Sequence, residues 1–291
     1  MMTLNEHIQA AREQKYAIGH FNISNWEAIK AISELCQELH VPMIIGASEG
    51  EAGFVGIEEI AGIVHMLRDI HHIPLFLNAD HFKDMEKVKR AARAGFDSIL
   101  YDAASTSFGE NTVLTKQAVE AVRAVSQTIL VEGELGYIGV GSELRTEIPE
   151  GAIIDESHMT TASEINDFVK FTGVNFVGPA VGNIHGIVKG YKENISLSRI
   201  ADLRAHTQVP LVLHGASGIQ DELLQGAVQA GVSIIHINTE LRVAWKQGMQ
   251  QGLETSHDEV APYKISQLSV ELMKQVLRKK LALFGTKPIA A

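Results

Sequence analysis

Short apolar runs recur along the chain, and each has the length and the β-branched content of a buried β-strand. Three of these runs, Val41–Ile45, Ile73–Leu77 and Val209–Leu213, carry proline at their second position. Proline is tolerated where a strand begins because no ladder donor is needed there. The pattern predicts eight strands, of which the other five are Tyr16–Phe21, Asp97–Tyr101, Thr128–Glu132, Val174–Val181 and Val232–Ile237.

Segments with helical periodicity separate these strands. Met85–Ala94 carries basic residues in its later half and is followed by Gly95, which is typical of a helix that ends on glycine. The predicted helices are Asn25–Leu39, Ile57–Ile70, Met85–Ala94, Asn111–Val125, Ala162–Phe171, Leu197–His206, Glu222–Ala230 and Leu241–Gln251. An additional C-terminal helix is expected at about residues 262–284.

The strict alternation of strand and helix favours parallel β/α units. Eight such units favour a closed barrel, so the predicted fold is α/β, a single (β/α)8 TIM barrel over residues 1–291 with the additional C-terminal helix. One connection, at about residues 135–160, is long, polar and rich in glycine. A loop of this length in a compact domain is a functional lid or a disordered insertion, and we expect it to be mobile.

Composition and net charge exclude several classes of function. The hydrophobic content of 45% suits a globular protein with a large core, and the net charge of −10 argues against a nucleic-acid surface. Cys36 is the only cysteine, so no intrachain disulfide and no thiolate metal site are expected. The sequence shows no signal peptide and no apolar run of membrane-spanning length. We therefore expect a cytoplasmic protein that does not bind membranes.

Polar residues cluster where the predicted strands end, which is where chemistry collects in a TIM barrel. These residues are Asn22, Ser48, Asp80, His81, Asp102, Glu132, Glu134, Asn183, His185, His214, Ser217, His236, Asn238 and Thr239. His81, His185 and His214 follow three different strands, and no local spacing ties them together. Taken singly, each suits a structural histidine. If they converge, three imidazoles with an open fourth position are typical of catalytic zinc or a related divalent cation.

Carboxylates accompany these histidines. Glu132 and Glu134 alternate by two residues and so face the same side of a strand. They are expensive to bury alone, so they either approach the metal or its ligands, or bind backbone amides or a lysine. Asp102 either orients a metal-bound imidazole or caps a turn.

Two histidines are followed by flexible turns that suit a phosphate. Gly186 follows His185, with Lys189 nearby, and Gly215 precedes Ser217. Glycine lets the backbone come close to a ligand, and amides that open a helix can face an anion.

In the order and spacing of these residues, the chain resembles the class II, metal-dependent ketose-bisphosphate aldolases, which include fructose- and tagatose-bisphosphate aldolases. The resemblance covers essentially the whole chain. It is carried by Asp80-His81, Val131–Gly136, Gly182–Gly186, Leu213–Ile219, Thr239–Leu241 and Leu283–Gly285.

The resemblance implies a lyase of carbohydrate metabolism that reversibly cleaves a phosphorylated ketose to dihydroxyacetone phosphate and an aldehyde, through a metal-stabilised enediolate. His81, His185 and His214 would hold Zn²⁺ or another divalent cation, with Glu134 as an alternate ligand. Asp80 would exchange a proton with the substrate hydroxyl. The substrate phosphate would lie against Gly186, Lys189, Gly215, Ser217, Asn238 and Thr239. Family members also place Na⁺ or K⁺ near this phosphate and usually form homodimers or homotetramers.

The chain departs from the family pattern around the metal and in the mobile loop. Phe82 replaces a glycine and Asn78 replaces a histidine. The loop lacks the usual Glu-Asp pair, and Glu143 is our candidate for its base.

Further departures fall in the aldehyde-binding half. His236 and Ile234 stand where an asparagine and a lysine are usual, and Asp258–Pro262 lacks the arginine that binds a distal phosphate. We therefore hypothesise an aldehyde that is unphosphorylated or otherwise unusual, with Asn22, Ser48 and His236 as substrate contacts. Two other functions stay open: a non-catalytic, aldolase-like subunit that stabilises or regulates a partner enzyme, and a sugar-phosphate isomerase or epimerase.

Overall fold

The structure is a computed structural model that describes residues 2–255 and 257–288. Its strands are β1 Ile18–Asn22, β2 Met43–Ser48, β3 Leu75–Phe82, β4 Ser98–Tyr101, β5 Leu130–Leu135, β6 Leu144–Arg145, β7 Phe176–Pro179, β8 Ile187–Val188, β9 Leu211–Leu213 and β10 Val232–Ile237. Eight of them form a closed parallel barrel in the order β1-β10-β9-β7-β5-β4-β3-β2, and β6 pairs separately with β8. The predicted TIM barrel is confirmed.

Helices surround the barrel. They are α1 Leu4–Gln14, α2 Trp26–Leu39, α3 Glu49–Val55, α4 Ile57–His71, α5 Met85–Ala94, α6 Phe108–Val125, α7 Ala162–Thr172, α8 Leu197–His206, α9 Asp221–Ala230, α10 Thr239–Thr255, α11 Pro262–Ile265 and α12 Gln267–Phe284. The predicted C-terminal helix is present, but it is divided at Ser266 into the single turn α11 and the long α12.

The sequence pattern missed α1 and α3. Helix α1 buries only three apolar side chains and α3 spans only seven residues, so neither has a long apolar stripe. Their signal is instead a capping box, in which a hydroxyl accepts the N3 amide and the N3 glutamate accepts the cap amide. Thr3 and Glu6 form this box in α1, and Ser48 and Glu51 form it in α3.

The floor of the barrel is apolar and closed by α1. Inward-facing residues from the starts of the strands pack in one cluster with side chains of this helix. The cluster comprises Leu4, Ile8, Ala11, Tyr16, Ile18, Ile44, Phe76, Leu130, Phe176, Val212 and Ile234. Helix α1 thus keeps water out of the end of the barrel where the strands begin.

One layer further along the strands, the barrel interior becomes polar. The buried side chains of this layer include His20, Asn78, Ser98, Glu132, His214 and His236. Gly46 and Gly178 leave room within it, because a Cβ atom at Gly46 would lie 2.0 Å from His20 Cε1 and one at Gly178 would lie 2.7 Å from His214 Cδ2. The polar layer leads directly to the end of the barrel where the strands finish.

The long loop after β5 is attached to the barrel rim. Its strand β6 pairs with β8, and the His185 amide donates to Ile138 O at 2.9 Å. These contacts hold residues 139–143 beside the barrel mouth. The mobility of the loop stays a prediction. Across residues 2–255 and 257–288, no helix has the length and apolar character needed to cross a membrane.

We predict that the seal formed by α1 contributes strongly to stability. Ile8 is 1% exposed, so Ile8→Ala should lower the free energy of unfolding by about 2–5 kcal/mol, since it removes a packed side chain from a core. Glu13→Ala, at an exposed position of the same helix, is the matched control and should change it by less than about 0.5 kcal/mol. Urea denaturation measures both, and equal effects would contradict a sealing role.

Candidate metal centre

The three predicted histidines meet at the barrel mouth. His81 lies in β3, His185 follows β7 and His214 follows β9, so neighbouring strands deliver the last two. The ring centroid of His81 lies 4.7 Å from that of His185 and 4.8 Å from that of His214. One ring nitrogen from each histidine lies within 4.8 Å of the others. The three imidazoles therefore converge, which no local spacing in the sequence could establish.

Two of these imidazoles have one nitrogen engaged and the other free. His81 Nδ1 lies 3.2 Å from both Asp102 Oδ2 and Glu134 Oε2, and His214 Nε2 lies 2.6 Å from Glu132 Oε1. Among the residues that the structure describes, His81 Nε2 and His214 Nδ1 are buried without a hydrogen-bond partner. A carboxylate on one nitrogen, with no protein partner on the other, is the usual arrangement of a metal-binding histidine. The residues therefore fit a divalent cation.

The predicted carboxylates lie where they can orient these ligands. Asp102 and Glu134 both contact His81 Nδ1 at 3.2 Å; the outer position of Asp102 relative to a metal stays a prediction. Glu132, whose role the sequence left open, lies beneath His214 and is fully buried. Metal binding by His81, His185 and His214, and the alternate ligation by Glu134, stay predictions.

Burial and charge act against each other in this centre. Burial by itself lowers the pKa of His81, but the carboxylates of Asp80, Glu134 and Asp102 outweigh it and hold that pKa well above its usual value. Burial raises the pKa of Glu134. Burial lowers the pKa of His185 well below its usual value, so this imidazole is neutral and able to ligate. Several carboxylates around few positive charges make a site that favours a cation.

A cleft of about 240 Å³ opens above the histidines. Most predicted site residues line it: Asn22, Ser48, Asp80, His81, Asp102, Glu143, His185, Gly186, His214, Gly215, Ser217, His236, Asn238 and Thr239. Glu134 lies buried behind His81. Lys189 is exposed and is not among the lining residues, because the chain turns outward after β8 pairs with β6. The geometry therefore does not bring Lys189 to the predicted phosphate site.

The turn Gly215–Gly218 packs against the start of α10. Ser217 Oγ accepts the amides of Asn238 at 3.3 Å and Glu240 at 3.4 Å, which leaves its own hydroxyl hydrogen free to donate. Gly215 has φ +62°, and a Cβ atom there would lie 2.2 Å from Ile184 O, so glycine is required. The backbone amides of a glycine-containing turn beside a helix N-terminus can donate hydrogen bonds to a phosphate.

Asp80 occupies a buried position between Asn22 and His236. Asn22 Nδ2 donates to Asp80 Oδ2 at 2.8 Å, and His236 Nδ1 lies 3.4 Å from Oδ1. Burial opposes ionisation, but His81 and His236 hold the pKa of Asp80 well below its usual value. Asp80 is therefore a carboxylate at neutral pH, ready to accept a proton.

Sequence reasoning missed His20, Glu51 and Arg242, three residues that contact side chains or backbone of the cleft. His20 stacks on His236 with ring centroids 3.5 Å apart and planes at 5°. Arg242 Nη1 donates to Ser142 O at 2.9 Å, while its Nη2 lies 2.5 Å from Glu51 Oε1. His20 and Glu51 carried a usable signal, since one is an inward polar residue within a strand and the other closes a capping box. Arg242 carried none, because its reach across the rim depends on the folded loop.

A closed parallel barrel with converging histidines beside an anion cradle defines a metal-dependent TIM-barrel enzyme, and comparison with known proteins gives its family. The family model "Fructose-bisphosphate aldolase class-II" matches residues 2–288. Fructose-bisphosphate aldolase from Geobacillus stearothermophilus is 34% identical over 294 residues, covering 100% of this chain and 99% of the relative. The Staphylococcus epidermidis enzyme of the same name is 32% identical, and 98% of each chain is covered.

Comparison with solved structures finds aldolases of the same fold. The YdjI aldolase from Escherichia coli K12 superposes with a TM-score of 0.80 at 26% identity, covering 98% of both chains. A fructose-1,6-bisphosphate aldolase homologue from Coccidioides immitis, with TM-score 0.83, 24% identity and coverage of 97% and 96%, supports the fold alone. The chain belongs to the class II fructose-bisphosphate aldolase family. It is a metal-dependent aldolase, a carbon–carbon lyase, and the non-catalytic and isomerase alternatives are not favoured.

We predict that Gly46 is required for the stack of His20 on His236. Gly46→Ala places its Cβ atom against a fully buried ring, which should cost about 1–3 kcal/mol of stability through overpacking and should shift the NMR resonances of both imidazoles. Gly50→Ala, in α3 with open space around it, is the matched control and should be neutral or stabilising. Similar behaviour of the two variants in denaturation and NMR would refute this prediction.

Proposed function

We propose that this enzyme reversibly cleaves a phosphorylated ketose to dihydroxyacetone phosphate and an aldehyde. The observation that carries the proposal is that one cleft holds both the three histidines and the turn Gly215–Gly218. A ketose 1-phosphate has a phosphate one carbon away from its carbonyl group. It can therefore place its phosphate against the turn and α10 while its carbonyl oxygen faces the histidines.

The histidines suit Zn²⁺ or a similar divalent cation, since neutral imidazole is a preferred ligand of such metals. When bound, this cation would polarise the ketone carbonyl as a Lewis acid. His81 and His214 would ligate through Nε2 and Nδ1, the nitrogens that the carboxylates leave free. In line with the resemblance, the proposal includes Na⁺ or K⁺ near the phosphate.

Asp80 and Glu143 each carry out one of the two proton transfers. In cleavage, Asp80 takes the proton from the ketose hydroxyl, and in condensation it returns that proton to the aldehyde oxygen. Glu143 lies in the loop beside β6 with a side chain that is 68% exposed, so it acts from the solvent side of the cleft. There it exchanges the proton at the α-carbon of dihydroxyacetone phosphate. General acid–base catalysis needs both groups within hydrogen-bond reach of the substrate.

The cleft favours an unphosphorylated or otherwise unusual aldehyde. Within the described ranges, the lysine and arginine side chains that line the cleft are Lys83 and Arg242. Both face carboxylates, Asp102 at 3.4 Å for Lys83 and Glu51 at 2.5 Å for Arg242. Their charge is therefore largely compensated. We assign substrate contacts in this half of the cleft to Asn22, Ser48 and His236.

The assembly is proposed to be a homodimer or homotetramer. Exposed apolar side chains near the start of α11, Val260 at 86% and Tyr263 at 73%, support contact with a second copy. Cytoplasmic localisation stays a prediction.

The substrate proposal is tested by incubating the zinc-loaded enzyme with a panel of ketose 1-phosphates and ketose 1,6-bisphosphates. We expect dihydroxyacetone phosphate to appear by NMR, with higher kcat/KM for the 1-phosphates. A strong preference for bisphosphates would refute the assignment of the aldehyde half. Absence of carbon–carbon cleavage throughout would refute the aldolase proposal itself.

Glu143 is tested by substitution. Glu143→Ala should lower kcat by about 10²–10⁴-fold, the usual contribution of a positioned base, without emptying the metal site. Glu147→Ala is the matched control, because Glu147 is exposed in the same loop but does not line the cleft. Turnover and bound zinc should be measured together. Turnover of Glu143→Ala equal to that of the control would transfer the role to another loop residue such as Ser142.

A further inference from the structure

The C-terminal helix α12 follows all the strands of the barrel in the sequence, and it contains a buried lysine. The side chain of Lys280 is 3% exposed, and its Nζ lies 2.7 Å from Glu240 Oε1. The preceding residue, Lys279, is 60% exposed and pairs with Asp221 at 2.8 Å. Lysine is rarely buried without a partner that requires it. The burial of the Lys280–Glu240 pair therefore requires an explanation, whereas the exposed pair of Lys279 with Asp221 does not.

Glu240 is joined to the turn that we propose as the phosphate site. Its Oε1 accepts the amide of Gly218 at 2.8 Å, while its own amide donates to Ser217 Oγ at 3.4 Å. The Glu240 side chain thus fixes one end of the turn Gly215–Gly218, and its backbone fixes the serine hydroxyl. Glu240 is the second residue of α10, so its carboxylate lies beside the same helix N-terminus that would face the phosphate.

This arrangement has an electrostatic cost. A helix N-terminus attracts anions, but a carboxylate at that terminus competes with a phosphate that carries close to two negative charges. Like charges near one site disfavour each other, and the effect is larger where burial reduces screening. A carboxylate that is needed to hold the turn would therefore weaken phosphate binding unless a positive charge balanced it.

We propose that Lys280 is a positioning residue for the phosphate half-site: it neutralises and orients Glu240, so that the turn Gly215–Gly218 is held in place and still accepts a phosphate dianion. Lys280 does not touch the substrate. It acts through Glu240, which makes the C-terminal helix part of the binding site. The inference rests on the proposed function, since it names what supports the phosphate of dihydroxyacetone phosphate.

The experiment compares Lys280→Met, Glu240→Gln and the double variant with the zinc-loaded wild type. Calorimetry gives the Kd for dihydroxyacetone phosphate and for inorganic phosphate. Lys280→Met should weaken both by about tenfold, the effect of one uncompensated neighbouring charge, with a matching rise in KM and little change in kcat. The double variant should recover most of the lost affinity, because it removes the negative charge as well. Lys279→Met is the matched control and should bind like the wild type.

The results separate the possible explanations. Unchanged affinity in Lys280→Met overturns the inference, and so does equal weakening in Lys279→Met or failure of the double variant to recover. If Lys280→Met does not fold, Glu240→Gln alone decides: it should bind phosphate at least as tightly as the wild type, and weaker binding overturns the inference. Wild-type enzyme that binds neither dihydroxyacetone phosphate nor phosphate would instead refute the proposed function.

Discussion

Contacts between buried carboxylates and imidazoles determine how the mouth of the barrel is built. Glu132 fixes His214, and Asp102 with Glu134 fixes His81, at distances of 2.6–3.2 Å. A buried carboxylate is stable only when it is paired, and each pair also decides which ring nitrogen faces the cleft. Gly178 leaves the room that one of these pairs needs. These contacts set the orientations of the His81 and His214 rings at the barrel mouth.

The barrel divides its interior between stability and chemistry. The apolar floor, sealed by α1, supplies tightly packed area where the strands begin. The polar layer above it contains imidazoles and carboxylates, which weaken an apolar core but have the chemistry and spacing that fit a divalent cation. Support for this upper half also comes from outside the barrel, because Arg242 holds the loop through Ser142 and Lys280 holds Glu240. The residues around the barrel mouth are therefore held by contacts from the loop and from α12 as well as by the strands.

Much of the fold follows from local patterns in the sequence. The strands of a parallel barrel are buried on both faces, so they appear as continuous apolar runs such as Val209–Leu213, and their polar ends indicate the site. Helix α1 was missed because its signal is a capping box. The stack of His20 on His236 depends on the register between β1 and β10, which no local pattern contains. Lys189 was placed at the phosphate site by its proximity in sequence to His185, whereas the β6–β8 pairing directs it outward.

The metal-dependent half-reaction can be examined without knowing the aldehyde. Dihydroxyacetone phosphate should be incubated with the enzyme in heavy water, with and without a chelator, and proton–deuterium exchange at its α-carbon followed by NMR. We expect exchange that the chelator abolishes and added Zn²⁺ restores. Exchange that is insensitive to the chelator, or no exchange with zinc-loaded protein, would contradict the assignment of His81, His185 and His214 as the catalytic metal site.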